Sequence, residues 1–277
     1  MVMNIGKQNV AVITGAASGI GLGLVNACAQ RNIRIVAADI SSSRLAALSE
    51  DLNQRGIEHA VMVCDVSDPE QLNALAAFAY ERYGVVNLLF NNAGIMLNGL
   101  TWQCSVEDWQ KTININLLGA VYGVKAFVPR MLTQSSPAHI VNTSSLAGLL
   151  SSPMMGPYSA SKHALVSLSE TLLYELQSQG ADIGVSVLCP AQVASNIMDA
   201  IDSSDTAQQN AGQLNDFLRQ GIQAGMAPSE VAEMVFDAIE RKAFWVFTHP
   251  DFKPTYIAKA EALVKEINPV FEQVICD

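Results

Sequence analysis

The sequence predicts an α/β domain, with a doubly wound parallel sheet and helices on both of its faces. The chain has 277 residues, of which 50% are apolar, enough to fill one sizeable core. Short β-branched runs alternate with longer stretches of helical periodicity along most of its length. This alternation is typical of βαβ units. No internal repeat or low-complexity linker divides the chain, so residues 1–277 are interpreted as a single domain.

Strands are predicted where β-branched and apolar residues form short runs. They cover residues 10–14, 33–38, 60–63, 85–90, 140–143, 185–188 and 244–247. Helices are predicted where apolar residues repeat with helical spacing, and Asp68-Pro69 supplies an N-cap followed by proline at the first helical position. They cover residues 19–30, 41–54, 106–132, 158–179 and 256–266, and one more begins at Asp68. Residues 192–227 contain no predicted strand and are interpreted as a largely helical lid.

The composition argues against nucleic acid and membranes as partners. Sixteen Lys and Arg against 26 Asp and Glu give a net charge of −10, and no basic cluster offsets it. The uncharged stretch 10–29 is interrupted by glycines, which indicates strand, turn and helix rather than a membrane span. The five cysteines are scattered, without the spacing of a disulfide framework or a zinc site. With no export signal at the start, we expect a cytoplasmic protein.

A glycine-rich turn between the first strand and the first helix predicts a nucleotide site. Gly15, Gly19 and Gly21 are expected to allow positive φ and to let the backbone approach a pyrophosphate, with Ser18 and Ile20 between them. The helix that begins there directs free N–H groups and a partial positive charge at the anion. This placement within a βαβ unit makes an ordinary glycine turn the weaker interpretation.

Asp39, at the end of the second strand, predicts which cofactor is bound. It lies roughly 20 residues past the glycines, where a carboxylate accepts hydrogen bonds from the ribose hydroxyls of adenosine. A second negative charge ~4 Å away would be repelled by about 4 kcal/mol at an effective dielectric constant of ~20. A 2′-phosphate would therefore bind about a thousandfold more weakly, and we expect NAD rather than NADP. Arg44 is close in sequence but is interpreted as a solvated residue of the next helix.

Three motifs together resemble the short-chain dehydrogenase/reductase family. They are Gly15-x-x-x-Gly19-x-Gly21, Asn91-Asn92-Ala93-Gly94 and Tyr158-Ser-Ala-Ser-Lys162, in the family's order and spacing. The similarity extends over about residues 10–247. It implies a Rossmann-type seven-stranded sheet, NAD(H)-dependent alcohol or ketone chemistry and a homodimer or homotetramer. It divides the chain into a nucleotide-binding half (1–100), a catalytic half (101–191), the lid and a C-terminal tail (249–277).

The resemblance also implies the residues that contact the cofactor. Asp65 and Val66 would flank the adenine, Asn92 and Ala93 would line the ribose, and Asn91 would brace the sheet. Past the sixth strand, Ala191 stands where the family usually has glycine, which requires a turn without positive φ there. The full set of expected cofactor-binding residues is Gly15, Ser18, Gly19, Ile20, Gly21, Asp39, Asp65, Val66, Asn92, Ala93, Gly94, Tyr158, Lys162, Pro190, Val193 and Ser195.

Tyr158 and Lys162 are the candidate proton-transfer pair. They stand at i and i+4 on a predicted helix and so share one face. A free phenol has a pKa near 10, and we expect the neighbouring ammonium to lower it. By the resemblance, Ser145, thirteen positions before the tyrosine, orients the substrate oxygen, while Ser144 bonds within the fold.

The resemblance further makes Asn116 the residue that kinks its helix and holds a water reaching Lys162. Asn114, two positions earlier, is the competing assignment. In alcohol oxidation, Tyr158 would accept the alcohol proton while hydride leaves for the nicotinamide.

Apolar residues, several of them methionines, are expected to form the substrate pocket. They come from residues 96–97 and 146–155 and from the lid, and the chief candidates are Met96, Leu97, Met154, Met155, Met198 and Phe217. The expected substrate is a neutral, hydrophobic secondary alcohol or ketone, with aromatic ones among the candidates. Residues 156–158 and 190–197 are also similar to bacterial short-chain enzymes that oxidise benzylic alcohols of lignin-type aryl ethers. Hydroxysteroids, 3-oxoacyl thioesters and a non-catalytic nucleotide-sensing scaffold stay open, and no metal is expected because the four histidines do not cluster.

Overall fold

The computed structural model describes residues 5–198 and 211–270, and its strands form one seven-stranded parallel sheet. The order is β3-β2-β1-β4-β5-β6-β7. The strands are β1 Val10–Thr14, β2 Arg34–Asp39, β3 His59–Val63, β4 Leu88–Asn91, β5 Ala138–Thr143, β6 Ile183–Cys189 and β7 Trp245–Phe247. The predicted doubly wound α/β fold class is confirmed, with each strand within three residues of its expected start.

The connecting helices cover both faces of this sheet. They are α1 Gly19–Gln30, α2 Ser42–Gln54, α3 Pro69–Tyr83, α4 Val106–Ile113, α5 Gly119–Met131, α6 Gly156–Ser178, α7 Gly212–Gln223, α8 Pro228–Glu240 and α9 Lys253–Val264. Asp68 caps α3 by accepting from the Glu70 N–H, with Pro69 in the first turn, as predicted. No helix among the described residues is both long and apolar enough to cross a bilayer.

Two apolar cores sandwich the sheet. On one face, Leu24 of α1 and Phe236 of α8 pack against sheet residues such as Phe90. On the other face, Leu72 of α3, Phe127 of α5 and other helix residues do the same. The strand order reverses between β1 and β4, and in open α/β sheets ligands bind in the crevice at the carboxyl ends of the strands at such a point. The fold therefore places its binding crevice where the sequence motifs lie.

The predicted uninterrupted helix over residues 106–132 is wrong. A π-helical turn, Asn114–Leu118, separates α4 from α5, and the Gly119 N–H reaches back to the Asn114 carbonyl. Single π-helical turns inside α-helices frequently occur at functional sites. Here the turn aims buried Asn116 at the loop after β4, which fits the kink expected at this residue.

Helix α8 was missed by the sequence analysis. Its buried residues, among them Val231, Val235 and Ile239, recur with helical spacing after Pro228. They pack against α1, where a Cβ on Gly23 would collide with the Pro228 backbone. The α8 periodicity was therefore present in the sequence.

Candidate active site

The glycine turn forms the floor of a cavity of about 620 Å³ at the carboxyl ends of the strands. Gly15 and Gly19 have φ of +62° and +49°, as expected. Gly21 does not have positive φ, so that part of the prediction is wrong; a Cβ there would collide with the Gly15 carbonyl oxygen. Its missing side chain therefore allows close packing of helix against turn.

The first helix presents an open N-terminus to this cavity. Ser18 is its N-cap residue in extended conformation, and no described side chain caps the helix there. Ser18, Gly19 and Ile20 all line the cavity. The free N–H groups and the partial positive charge of α1 suit an anion such as a pyrophosphate.

Asp39 is buried at the end of β2 and lines the same cavity. Its two carboxylate oxygens accept from the Ala17 and Ser41 N–H groups, each at 3.0 Å. These bonds fix the carboxylate beside the glycine turn. Arg44 is an exposed residue of α2, as expected, and it also lines the cavity. It lies near the N-terminus of α2, whose capping Ser41 follows Asp39 closely.

The remaining expected adenosine contacts converge on the same region. Asp65 lines the cavity next to Val66, and one of its oxygens accepts from both the N–H and the hydroxyl of Ser67. Asn92 and Ala93 are held by Thr14, whose hydroxyl accepts from both of their N–H groups at 3.0 and 3.1 Å. The cavity wall here is built from backbone held in place by buried side chains.

Asn91 and Gly94 take different positions in the loop after β4. Asn91 points away from the cavity and donates to Asn142 on the neighbouring strand at 2.9 Å, bracing the sheet as expected. A Cβ on Gly94 would come within 3.4 Å of Lys162 Nζ and 3.2 Å of Asn116 Oδ1. Gly94 thus leaves room beside the lysine ammonium, where a ribose would bind.

Tyr158 and Lys162 lie together on the buried face of α6, both lining the cavity. Lys162 Nζ is 5.7 Å from the centroid of the Tyr158 ring and donates to the Thr143 carbonyl at 2.8 Å. Burial lowers the pKa of Lys162 to about 8. The ammonium therefore keeps its proton at neutral pH.

The pKa of the Tyr158 phenol differs from the expectation. Burial raises it to about 12, although the hydrogen bond with Ser145 acts in the opposite direction. Among the protein groups, desolvation of the phenolate outweighs this lowering effect, and Lys162 does not contribute the lowering that was predicted for it. The predicted basic phenol is therefore not produced by Lys162 alone; a positive nicotinamide ring would act in the lowering direction.

The two serines at the end of β5 point to opposite sides, as strand geometry requires. The Ser144 hydroxyl donates to the Lys162 carbonyl at 2.9 Å, inside the fold. The Ser145 hydroxyl lies in the cavity, where it donates to the Pro190 carbonyl at 3.4 Å and accepts from the Ala147 N–H at 3.1 Å. Ser145 is thus the serine positioned beside the phenol.

Asn116 joins the π-helical turn to the loop after β4. Its side chain accepts from the Ile95 N–H at 2.8 Å and donates to the Ile95 carbonyl at 2.9 Å. It also donates to Ser161 on α6. The competing candidate, Asn114, is exposed. Asn116 is therefore the asparagine that the fold brings to the Tyr158–Lys162 pair.

The segment after β6 forms the opposite wall. Pro190, Val193 and Ser195 line the cavity, and a Cβ on Gly19 would come within 2.8 Å of Ser195 Cβ. Ala191 lacks positive φ, as its substitution for glycine requires. Val193 pairs with Met226 in a short parallel bridge that anchors the start of the lid.

Of the residues predicted for the substrate pocket, some line the cavity and others do not. Met96 and Met155 line the cavity, and Met198 packs against them in the same apolar cluster without lining it. Leu97 is buried beneath the surface, Met154 does not line the cavity, and Phe217 is 61% exposed. Leu146, Ala147 and Leu150, within the expected stretch 146–155, line the cavity, and so do Leu218 and Ile222 of the lid helix α7. On α7 the error is one of helix phase, because Leu218 and Ile222, spaced four apart, face inward and Phe217 faces outward.

The described residues contain no cluster of metal-ligating side chains. His139, for example, is buried and bonded to Ser186 at 2.7 Å, and burial lowers its pKa to about 3. Of the predicted lid, residues 199–210 lie outside the described part of the chain.

The fold and the site together define a dinucleotide-binding oxidoreductase. The glycine cradle, the uncapped α1 N-terminus and the buried Asp39 fit a nicotinamide dinucleotide. A family model described as short chain dehydrogenase matches residues 9–206. The chain belongs to this family and is an enzyme of the oxidoreductase class, which confirms the family expected from the motifs.

Three known proteins illustrate the relationship. The chain is 32% identical over 273 residues to the CLA biosynthesis dehydrogenase/reductase of Lactiplantibacillus plantarum, covering 95% of this chain and 96% of that protein. It is 31% identical over 270 residues to the C alpha-dehydrogenase of Sphingobium sp. strain NBRC 103272 / SYK-6, covering 95% and 88%. A short-chain dehydrogenase/reductase from Burkholderia phymatum, solved in complex with NAD, superposes with a TM-score of 0.93 at 37% identity, covering 99% and 100%.

Proposed function

We propose that this enzyme transfers a hydride between NAD(H) and a hydrophobic secondary alcohol or ketone, aromatic ones included. The observation that carries the proposal is the buried Tyr158 phenol, which shares one cavity with Ser145 and Lys162. The centroid of its ring lies 5.7 Å from Lys162 Nζ. This arrangement faces a cavity whose other wall is apolar. A binding protein without chemistry has no need of a proton donor placed in this way.

Tyr158 acts as the general acid and base in the proposed mechanism. A bound nicotinamide ring supplies the hydride acceptor for alcohol oxidation and the donor for ketone reduction. In oxidation, Tyr158 takes the hydroxyl proton as the carbon–hydrogen bond breaks, and in reduction it returns that proton to the forming alkoxide. The Ser145 hydroxyl holds the substrate oxygen beside the phenol.

Lys162 and Asn116 support the phenol. The Lys162 ammonium, fixed by the Thr143 carbonyl, binds ribose hydroxyls and stabilises negative charge on Tyr158. The proton then leaves through a water held at Asn116, beside the space that Gly94 keeps open. Asn116 itself positions the loop after β4 through its two bonds to Ile95.

The preference for NAD follows from Asp39. Its carboxylate is fixed by two backbone N–H groups and cannot turn away from a 2′-phosphate without losing them. The NAD complex of the Burkholderia relative supports the choice. Arg44 acts in the opposite direction, so the preference depends on the balance of these two charges.

The apolar wall supports the substrate class. Met96, Met155, Leu218 and Ile222 offer no charge that would bind a carboxylate or a phosphate. The similarity to a C alpha-dehydrogenase supports testing benzylic alcohols first. We further propose a cytoplasmic homodimer or homotetramer, organised as nucleotide-binding half, catalytic half, lid and tail.

A panel of aryl, alicyclic and steroidal alcohols, each incubated with NAD⁺ and with NADP⁺, tests the proposal through reduced-cofactor absorbance. We expect turnover of hydrophobic secondary alcohols with NAD⁺ and much slower turnover with NADP⁺. Charged hydroxy acids of the same size serve as matched controls and are expected to react poorly. Selective turnover of the hydroxy acids would contradict the proposed substrate class.

A further inference from the structure

Segment 96–99, which follows β4, is hydrogen-bonded to three separate parts of the chain near the cavity. The Met96 N–H donates to the Ile197 carbonyl at 3.1 Å, at the start of the lid. The Gly99 N–H donates to the Met154 carbonyl at 2.8 Å, just before Tyr158 in the chain. Asn98 forms the third link. This segment therefore connects the residues just before α6 to both described parts of the lid.

The third link is a buried pair of side-chain amides. Asn98 Nδ2 donates to Asn215 Oδ1 on α7 at 2.9 Å, and the two residues are 1% and 3% exposed. Their bond joins parts of the chain that lie 117 residues apart. Asn98 Oδ1 has no partner among the described residues. A buried unpaired carbonyl costs roughly 1–3 kcal/mol, a cost that an apolar contact at this place would avoid.

An amide pair differs from an apolar contact because its hydrogen bond fixes the relative orientation of the two side chains. Asn215, Leu218 and Ile222 stand at i, i+3 and i+7, on one face of α7. Leu218 and Ile222 line the cavity, whereas Phe217 on the other face is exposed. A hydrogen bond at Asn215 therefore sets the rotation of α7 about its axis, and with it the residues that face the substrate.

We propose that Asn98 and Asn215 are a positioning pair that holds α7 over the substrate, so that they determine which alcohols fit although neither touches the reacting atoms. This inference rests on the proposed hydride-transfer function. Without the pair, Leu218 and Ile222 would no longer be held against the substrate. A large alcohol that reaches α7 would lose binding, while a small alcohol held near Tyr158 would lose little.

A double-mutant cycle tests the pair. Asn98→Ala, Asn215→Ala and the double variant are assayed with cyclohexanol and with a larger alcohol of two fused rings, a tetralol. For the tetralol we expect KM to rise about tenfold in each single variant with kcat changed less than about threefold, and the double variant to match the singles. For cyclohexanol we expect kcat/KM to change less than about threefold. Gln220→Ala, an exposed change on the same helix, is the control and should match the parent enzyme.

Three results would overturn the proposal. The first is a rise in KM for the tetralol of about a hundredfold in the double variant, as independent effects would give. The second is an equal loss of kcat/KM for both alcohols, and the third is a fall in kcat with unchanged KM. If Asn98→Ala fails to fold, Asn215→Ala alone serves as the test.

Hydrogen exchange separates this inference from the proposed function. In either single variant, amides of residues 212–223 should exchange faster while those of α6 stay protected, whatever the enzyme oxidises. Unchanged exchange in α7 would overturn the positioning role. Failure of the parent enzyme to oxidise any alcohol would refute the proposed function instead.

Discussion

At the scale of single residues, the site places opposing electrostatic effects on one phenol. Burial raises the pKa of Tyr158 to about 12, and burial also lowers the pKa of Lys162 to about 8. The phenol is therefore protonated at neutral pH, while the ammonium is charged. Tyr158 can donate a proton to a ketone in this protonated form, whereas it must first ionise before it can take a proton from an alcohol.

This balance predicts opposite pH dependences for the two directions. Alcohol oxidation should speed up by up to about tenfold per pH unit while phenolate is scarce, and ketone reduction should not. The rise should slow above about pH 8, where Lys162 loses its proton and no longer stabilises the phenolate. Initial rates at saturating cofactor, measured in both directions from about pH 6 to about pH 10, check this. An oxidation rate that does not vary over that range would contradict it.

Asp39 predicts a second effect at a single residue. In Asp39→Ala the repulsion of a 2′-phosphate disappears, so the preference for NAD⁺ over NADP⁺ in kcat/KM should fall by about a hundredfold or more. NAD⁺ itself should bind more weakly because the Ala17 and Ser41 N–H groups lose their acceptor. Asp51→Asn, which removes an exposed carboxylate paired with Arg55, is the matched control. An unchanged cofactor ratio in Asp39→Ala would show that Arg44 or the backbone sets the preference.

At the scale of secondary structure, the π-helical turn is the element that most directly connects fold to site. Asn116→Ala should destabilise the protein by roughly 2 kcal/mol, because the Ile95 N–H and carbonyl groups lose their partner in a buried place. Urea denaturation measures the change. Asn114→Ala alters an exposed residue of the same turn and should have a much smaller effect. Equal destabilisation by the two variants would contradict the assignment of Asn116.

The elements also show what the sequence could and could not predict. Strand β1 and helix α1 agree with expectation residue by residue, because a buried apolar run and a glycine turn mark their ends. The π-helical turn depends on a side-chain bond between Asn116 and Ile95, 21 residues apart, which no local pattern contains. The inward-facing side of α7 is a similar case. Phe217 and Leu218 are both apolar, and which of them faces inward depends on how the helix packs against the rest of the molecule.

At the scale of the whole molecule, the described surface carries apolar residues that a monomer would leave in water. Tyr174 is 63% exposed and Trp245 39%, and the tail helix α9 exposes Ile257, Leu263 and Val264. Helix α9 contacts the body through Lys259, which donates to the Leu149 carbonyl at 2.6 Å, and through Lys253, whose Nζ lies 5.9 Å from the centroid of the Phe247 ring. Half-buried residues of 117–124 and 165–173 extend this surface. Burying such area between subunits is favourable.

The molecule is therefore predicted to be an oligomer in solution. Light scattering should give a mass of two or four times the 29.7 kDa of one chain at micromolar concentration. The mass should persist at high salt, because the faces concerned are apolar rather than charged. A monodisperse 29.7 kDa species would contradict this prediction.

Sequence motifs predicted the positions of the catalytic groups better than their energetics. The order of strands brings Asp39, Ser145, Tyr158 and Ser195 to one cavity, as their motifs indicated. The pKa of Tyr158 could not be predicted in this way, because it depends on how completely packing excludes water from the phenol.

Replacement of Tyr158 by phenylalanine tests the central claim most directly. The variant keeps the ring and its packing but has no hydroxyl to exchange a proton with the substrate. Turnover of the best alcohol should fall by at least about a thousandfold, while the dissociation constant for NAD⁺, measured by calorimetry, stays within about threefold of the parent value. Retention of most of the turnover, with cofactor binding intact, would show that another group moves the proton and would contradict the account.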